Sequence, residues 1–212
     1  SQEVEGVDTI RPYVLTGPNL VTDGHLPGSP AAPSGTWSTF TWSPGSGWQD
    51  DHWARSGFGS LVLDVNESSA DDEAVTVRDL TGVRAPVTLS YPNTETDDSE
   101  SNYSDYQLWG DWVAATHYRW VDGDDANSTD QVEVRNWKTG QVVASHDGQL
   151  QQLGDGGAIV RGYDEAGHTT SYQVWNFLTD AVTPLSEQWW WNSQFSMDGG
   201  RIAYTTDSAL LV

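Results

Sequence analysis

Apolar residues recur at alternate positions over short runs, and the runs are broken by Gly, Asp, Asn and Pro. A period of two is the strand period. No long stretch places apolar residues at i, i+3, i+4 and i+7 with caps at its ends, so the pattern predicts an all-β protein without substantial helix. Four runs open on glycine: GSLVLDV (59–65), GDWVAATHY (110–118), GGAIVRGY (156–163) and GGRIAYTT (199–206). With Leu61, Val113, Ile159 and Ile202 taken as equivalent, the spacings are 52, 46 and 43 residues. Three of the runs lead into a second pattern, VTVRDLTG (75–82), VEVRNWKTG (132–140) and YQVWNFLTD (172–180), and then into VTLSY, QVVAS and AVTPLS. The repeating unit is therefore strand, loop, strand, T-G or T-D turn, strand, with one strand before it. Four strands in about 40–50 residues is the period of a β-propeller blade.

Such a sheet has two apolar faces and buries both only by stacking on sister sheets. The turns have a local cause, because Thr or Asp bonds the turning backbone and Gly accepts positive φ. FSMDGGRIAY (195–204) resembles the F-S-P-D-G-x-x-I-A-Y element of TolB-like propellers. VEVRNWKTG and YQVWNFLTD resemble the V-x-V-W-D-x-x-T-G element of WD40- and quinoprotein-like blades. Met197 stands where that pattern has Pro, and no blade carries a full Trp-Asp dipeptide at the turn. The resemblance covers roughly residues 57–212. It implies four-stranded antiparallel blades in a β-propeller, incomplete or with its ring closed by an N-terminal strand, and fixes no activity.

Outside the repeats, IRPYVLTGPNLVTDG (10–24) is expected to complete the terminal blade, whose own repeat stops after ALLV. A larger propeller, or a strand-completing partner chain at an open edge, is the alternative. Residues 24–58, rich in Gly, Pro, Ser and Trp, are expected as a long ordered loop with WSTFTW as a strand. Residues 92–105, PNTETDDSESNYSD, are expected as a solvated, mobile inter-blade loop. The whole of 1–212 is read as one propeller domain or propeller fragment.

Composition sharpens this picture. In 212 residues there are twelve Trp, eight Tyr and four Phe, so aromatics supply core area that aliphatics do not. The formal charge is −22, from 31 acidic and 9 basic residues spread through both halves. That field repels nucleic acid and anionic membranes and favours cationic partners. It is also the ordinary surface of exported proteins of high-GC, actinobacterial type and of salt-adapted organisms. No run approaches the roughly 18 apolar residues of a spanning helix. With no cysteine, disulfides, thiol catalysis and Cys-zinc sites are excluded. An opening SQEV without Met is expected of a processed or trimmed chain.

Catalytic signatures are absent: no G-x-S-x-G, H-E-x-x-H, P-loop or dinucleotide glycine triplet occurs. The densest chemistry is WQDDHW, comprising Trp48, Asp50, Asp51, His52 and Trp53. Carboxylates and an imidazole between tryptophans suit a sugar, by stacking and hydroxyl bonding, or glycoside hydrolysis. Adjacent aspartates on a strand point to opposite sides, however, and the same stretch reads as a loop anchored by its tryptophans. Trp189, Trp190 and Trp191 offer either an exposed binding hot spot or packing between blades. In DGDDANSTD, Asp122, Asp124 and Asp125 space oxygens as calcium ligands do, but the EF-hand order and terminal Glu are missing. No other cofactor is implied. The leading expectation is a non-catalytic, extracellular or cell-surface interaction module that binds a protein or glycan, within a larger protein or assembly. A carbohydrate-binding or carbohydrate-active propeller using the Trp48–Trp53 loop is the alternative.

Overall fold

In the computed structural model, backbone is described for residues 11–16, 19–23, 39–43, 47–50, 54–66, 72–96, 98–122, 128–164, 169–185, 195–198, 201–205 and 210–211; side chains are described for 55–65, 73–96, 98–122, 128–163, 170–185, 197, 201 and 202. The described residues are all-β. The strands are β1 (Arg11–Thr16), β2 (Asn19–Asp23), β3 (Thr39–Ser43), β4 (Gly47–Asp50), β5 (Ala54–Phe58), β6 (Leu61–Asn66), β7 (Asp72–Asp79), β8 (Val87–Pro92), β9 (Thr94–Thr96), β10 (Ser99–Trp109), β11 (Trp112–Val121), β12 (Thr129–Asn136), β13 (Val142–Asp147), β14 (Gln149–Leu153), β15 (Gly157–Asp164), β16 (Thr169–Asn176), β17 (Ala181–Pro184), β18 (Phe195–Asp198), β19 (Arg201–Thr205) and β20 (Leu210–Leu211). They form antiparallel sheets in the orders β1-β2-β3-β4, β5-β6-β7-β8, β13-β12-β11-β10-β9, β14-β15-β16-β17 and β18-β19-β20. Each glycine-led run predicted from sequence begins an interior strand, β6, β11, β15 or β19. No helix among the described residues is long and apolar enough to cross a membrane.

Two expectations change. Within 10–24, β1 pairs with β2, and the sheet continues through β3 to β4, so these strands build a sheet of their own rather than finishing the terminal one. Residues 92–105 are not a loop, because β9 pairs with β10 from Thr96↔Ser99 to Thr94↔Ser101. The hydroxyls of Thr96 and Ser99, 2.9 Å apart, tie the turn, and Tyr103 further along β10 is buried. Acidic composition signalled solvation, but alternation with threonine and tyrosine supports a half-buried strand. Within the expected loop 24–58, β3 matches WSTFTW, and β4 and β5 are strands as well.

The chain divides into two compact units, Ser1–Ser68 with Ala74–Ser90, and Ser69–Glu73 with Tyr91–Val212. In the first, β6 and β7 alternate inward Leu61, Leu63, Val65, Val75 and Val77. On the other face of β6, Val62 packs against Leu80. The DLTG turn closes as expected. Asp79 Oδ1 accepts from the Thr81 amide at 3.0 Å and its hydroxyl at 2.7 Å, Gly82 donates to the Asp79 carbonyl at 2.9 Å, and Gly82 takes φ 70°. Bonding to Thr81 holds the Asp79 carboxyl below its usual range.

The second unit is organised by its middle sheet, β14–β17. Ala158 and Val160 point one way, joining Trp175, Phe177, Leu150 and Leu153 against Ala114, Val132 and Val134 of the preceding sheet. Ile159 points the other way, joining Tyr172 and Met197. Met197, the departure from the Pro pattern, fits because a Cβ on Gly157 would lie 2.7 Å from its Cε, and one on Gly154 2.9 Å from its Cγ. Side chains of the preceding sheet also reach the edge strand β14. Thr116 Oγ1 accepts from the Leu150 amide at 2.9 Å, and Gln107 Oε1 from the Leu153 amide at 2.7 Å. Donors on an edge strand are thus satisfied without another strand.

Trp175, fully buried, is the largest side chain in this core. Its replacement by Ala is expected to cost about 3–5 kcal/mol, read by urea denaturation. Leu178→Ser, in a neighbouring turn but 62% exposed, is expected to change stability by no more than about 0.5 kcal/mol.

Candidate functional site

Two constellations in the second unit carry most of the described chemistry. The first lies on one face of the β9–β13 sheet. Tyr103 of β10, His117 of β11, and Glu133 and Arg135 of β12 are at positions that register places on that face. Tyr106 joins them through a bulge. Asp105 and Tyr106 together oppose one residue of β11 where the register shifts between Ser104 and Gln107, and Asp105 takes φ 56°. The extra residue turns Tyr106 to the side of Tyr103. Both rings meet fully buried Tyr91 edge-on, with centroids at 4.9 and 5.1 Å.

Arg135 lies over the Tyr91 ring at 4.2 Å and pairs with Glu133 at 2.5 Å. The Tyr106 hydroxyl donates to Glu73. Burial pushes the Tyr91, Tyr103 and Tyr106 phenols above the ordinary tyrosine range, and at Tyr106 the bond to Glu73 adds to it. His117 stacks on Tyr103, 4.3 Å between centroids and 6° between planes, and its Nε2 is 2.8 Å from Ser101 Oγ. Burial lowers the His117 pKa, which favours the neutral ring.

A serine beside a neutral imidazole is the beginning of a nucleophile–base pair. The third member is not supplied: among the described residues no carboxylate bonds the other ring nitrogen, and Glu133 is engaged by Arg135. What this face does chemically is hold one guanidinium among aromatic rings and a carboxylate.

The second constellation is the end of the same unit where the β10–β11, β12–β13, β14–β15 and β16–β17 turns come together. Trp109 and Trp112 flank the first turn and pack, partly buried, on the core beneath. Trp137 Nε1 donates to the Gly110 carbonyl at 2.9 Å. Trp112 meets Phe177 at 5.6 Å, edge to face, which links the turns of the two sheets. Asparagines set the turns: Asn136 Oδ1 accepts from Lys138, and Asn176 Oδ1 from Leu178 and Thr179, all within 3.1 Å. Gly140 (φ 72°) and Asp180 (φ 60°) end them in the left-handed region.

This geometry leaves Leu178 62% exposed above Gly156. The four turns carry three carboxylates and one cation, of which Asp155 adjoins Gly156 and Asp180 follows Leu178 by two residues. Asp111 pairs with Lys138 at 2.6 Å, Asp180 accepts from Trp175 Nε1 at 3.0 Å, and Asp155 is exposed on the β14–β15 turn.

No family model, curated protein or solved structure matches this chain.

Of the residues singled out from sequence, Trp48 and Asp50 fall on β4, where Trp48 opposes Trp42 and Asp50 opposes Phe40. Asp51, His52, Trp53, Trp189, Trp190, Trp191, Asp124 and Asp125 lie outside the described residues. Asp122 is exposed at the end of β11. Among the described residues, no group of three or more His, Asp or Glu side chains is placed to hold a metal ion. Sequence reasoning passed over both constellations. The W-G-D-W flanking of the first turn was a readable signal for one. For the other, no spacing announces a bulge that brings Tyr103 and Tyr106 to one side.

The shifted groups predict a stability profile. His117 has a depressed folded pKa, so its contribution is present above about pH 6.5, the unfolded value, and is lost as pH falls through the folded one. The phenols have raised folded pKa values, so theirs is present below about pH 10 and is lost as pH rises. Urea midpoints measured between pH 5.5 and 7 are expected to fall toward the acid side, and His117→Asn to flatten that limb.

Proposed function

We propose that this chain is a non-catalytic β-propeller interaction module, acting outside the cell or at its surface as part of a larger protein or assembly. The observation that carries the reading is Leu178. A large aliphatic side chain, 62% exposed, is presented by an ordered turn in a protein of formal charge −22. Exposed apolar groups rimmed by polar ones mark contact surfaces. Val142 and Val143 of β13 and Val182 of β17 are further exposed apolar side chains, at 50%, 45% and 43%.

The repeat supports the propeller part of the reading. Glycine-led interior strands recur in successive sheets, and the middle sheet of the second unit buries both faces, as a blade does. The Ser101–His117 pair supports the non-catalytic part, because Glu133, the carboxylate on the same face of the sheet, is committed to Arg135.

Selection of a random dodecapeptide library on the immobilised chain tests the reading, run beside chromogenic ester, phosphate and glycoside substrates. Enriched peptides that compete with one another, with no turnover, are expected. Turnover of any substrate with no enrichment overturns it.

A further inference from the structure

We infer that the turn end of the second unit docks a cationic peptide segment of a partner protein, one in which Lys or Arg residues alternate with apolar ones. The inference rests on the interaction reading above and names the partner's chemistry.

Three features of the surface converge. Leu178 offers an exposed aliphatic contact on a backbone held by the Asn176 side chain, which accepts from the amides of Leu178 and Thr179 at 3.0 and 3.1 Å. A contact residue held by its own turn loses little freedom on binding. Trp112, partly buried, meets Phe177, the residue before Leu178, at 5.6 Å, and tryptophan faces accept Lys and Arg as well as aliphatic groups.

The third feature is charge. The turns at this end carry Asp111, Asp155 and Asp180 against Lys138, and that cation is already engaged by Asp111 at 2.6 Å. Asp155, and Asp180 with one oxygen on the Trp175 indole, remain as the anionic groups next to Leu178 along the two turns. Complementarity therefore calls for cations flanking an apolar anchor.

The same charge excludes other occupants. A second copy of the chain would bring another −22 against this one and be repelled. Nucleic acid and anionic lipid are repelled for the same reason.

The probe is a fluorescein-labelled Lys-Leu-Lys-Val-Lys-Leu-Lys amide, followed by anisotropy and by the tryptophan indole N–H signals in two-dimensional NMR. Its companions are the same peptide with Glu for Lys, and with Ser for Leu and Val. The Lys-Leu peptide is expected to bind and to shift the Trp112 indole. Leu178→Ser is expected to weaken it about tenfold, the loss of one well-covered aliphatic contact. Asp155→Asn with Asp180→Asn is expected to weaken it further and to reduce its salt dependence; asparagine tolerates the left-handed backbone at 180. Both variants must retain the thermal midpoint of the native chain. Equal binding by Leu178→Ser, an unmoved Trp112 indole, equal binding of the Lys-Ser peptide, or equal binding of the Glu-Leu peptide overturns the inference. If the Lys-Leu peptide fails while the random library yields neutral or acidic ligands, this inference falls and the interaction reading stands. If both fail, both fall.

Discussion

The second unit depends on apolar surface that one sheet cannot hide alone. Along β15 the side chains of Ala158, Ile159 and Val160 point alternately to opposite sides, and all three are fully buried. Each side needs a cover, supplied by the β9–β13 sheet on one and by Met197 and its neighbours on the other. Each buried aliphatic contributes about 1.5–3 kcal/mol relative to exposure, so a sheet covered on only one side forgoes much of what holds it. The covers are fitted locally. Glycines make room for Met197, and side chains of Thr116 and Gln107 bond the backbone of β14 where no strand does.

The β9–β13 sheet shows that two faces of one sheet can be solved differently. One is plain packing of Ala114, Val132 and Val134. The other holds a guanidinium, a carboxylate, an imidazole and three phenols. Such a face is costly unless every charge is paired, and the pairing is close, with Glu133 and the Tyr91 ring on Arg135 and Glu73 on Tyr106. A partly buried pair of this kind is weak evidence for added stability. A slip of β12 against its surroundings would take Arg135 away from the Tyr91 ring, whereas Glu133, two residues away on the same strand, would move with it.

The repeated turns connect fold to surface. In NWKTG and NFLTD an asparagine oxygen takes amides of the turn and a left-handed residue ends it. That conformation buries Trp137 and Phe177 and turns the next side chain, Lys138 or Leu178, outward. The residue at that outward position is free to vary without disturbing the core, so a stability element also presents the contact group. Lysine there pairs with Asp111, whereas leucine is left to contact something else.

Period-two alternation, glycine-led runs and the T-G and T-D turns were legible in the linear chain because each depends on near neighbours: φ at one residue, a hydrogen bond over two or three, side chains on alternate sides. They were enough to place β6, β11, β15 and β19 inside their sheets. Composition misled where it stood in for pattern, since acidic 92–105 is largely strand. The pairing of 19–23 with 39–43, the bulge that collects Tyr103 and Tyr106, and the contact of Trp112 with Phe177 that links the turns of two sheets were decided only by the tertiary structure. Each depends on which distant segment is brought alongside, and that choice is made by the fit of whole faces, which no local spacing encodes.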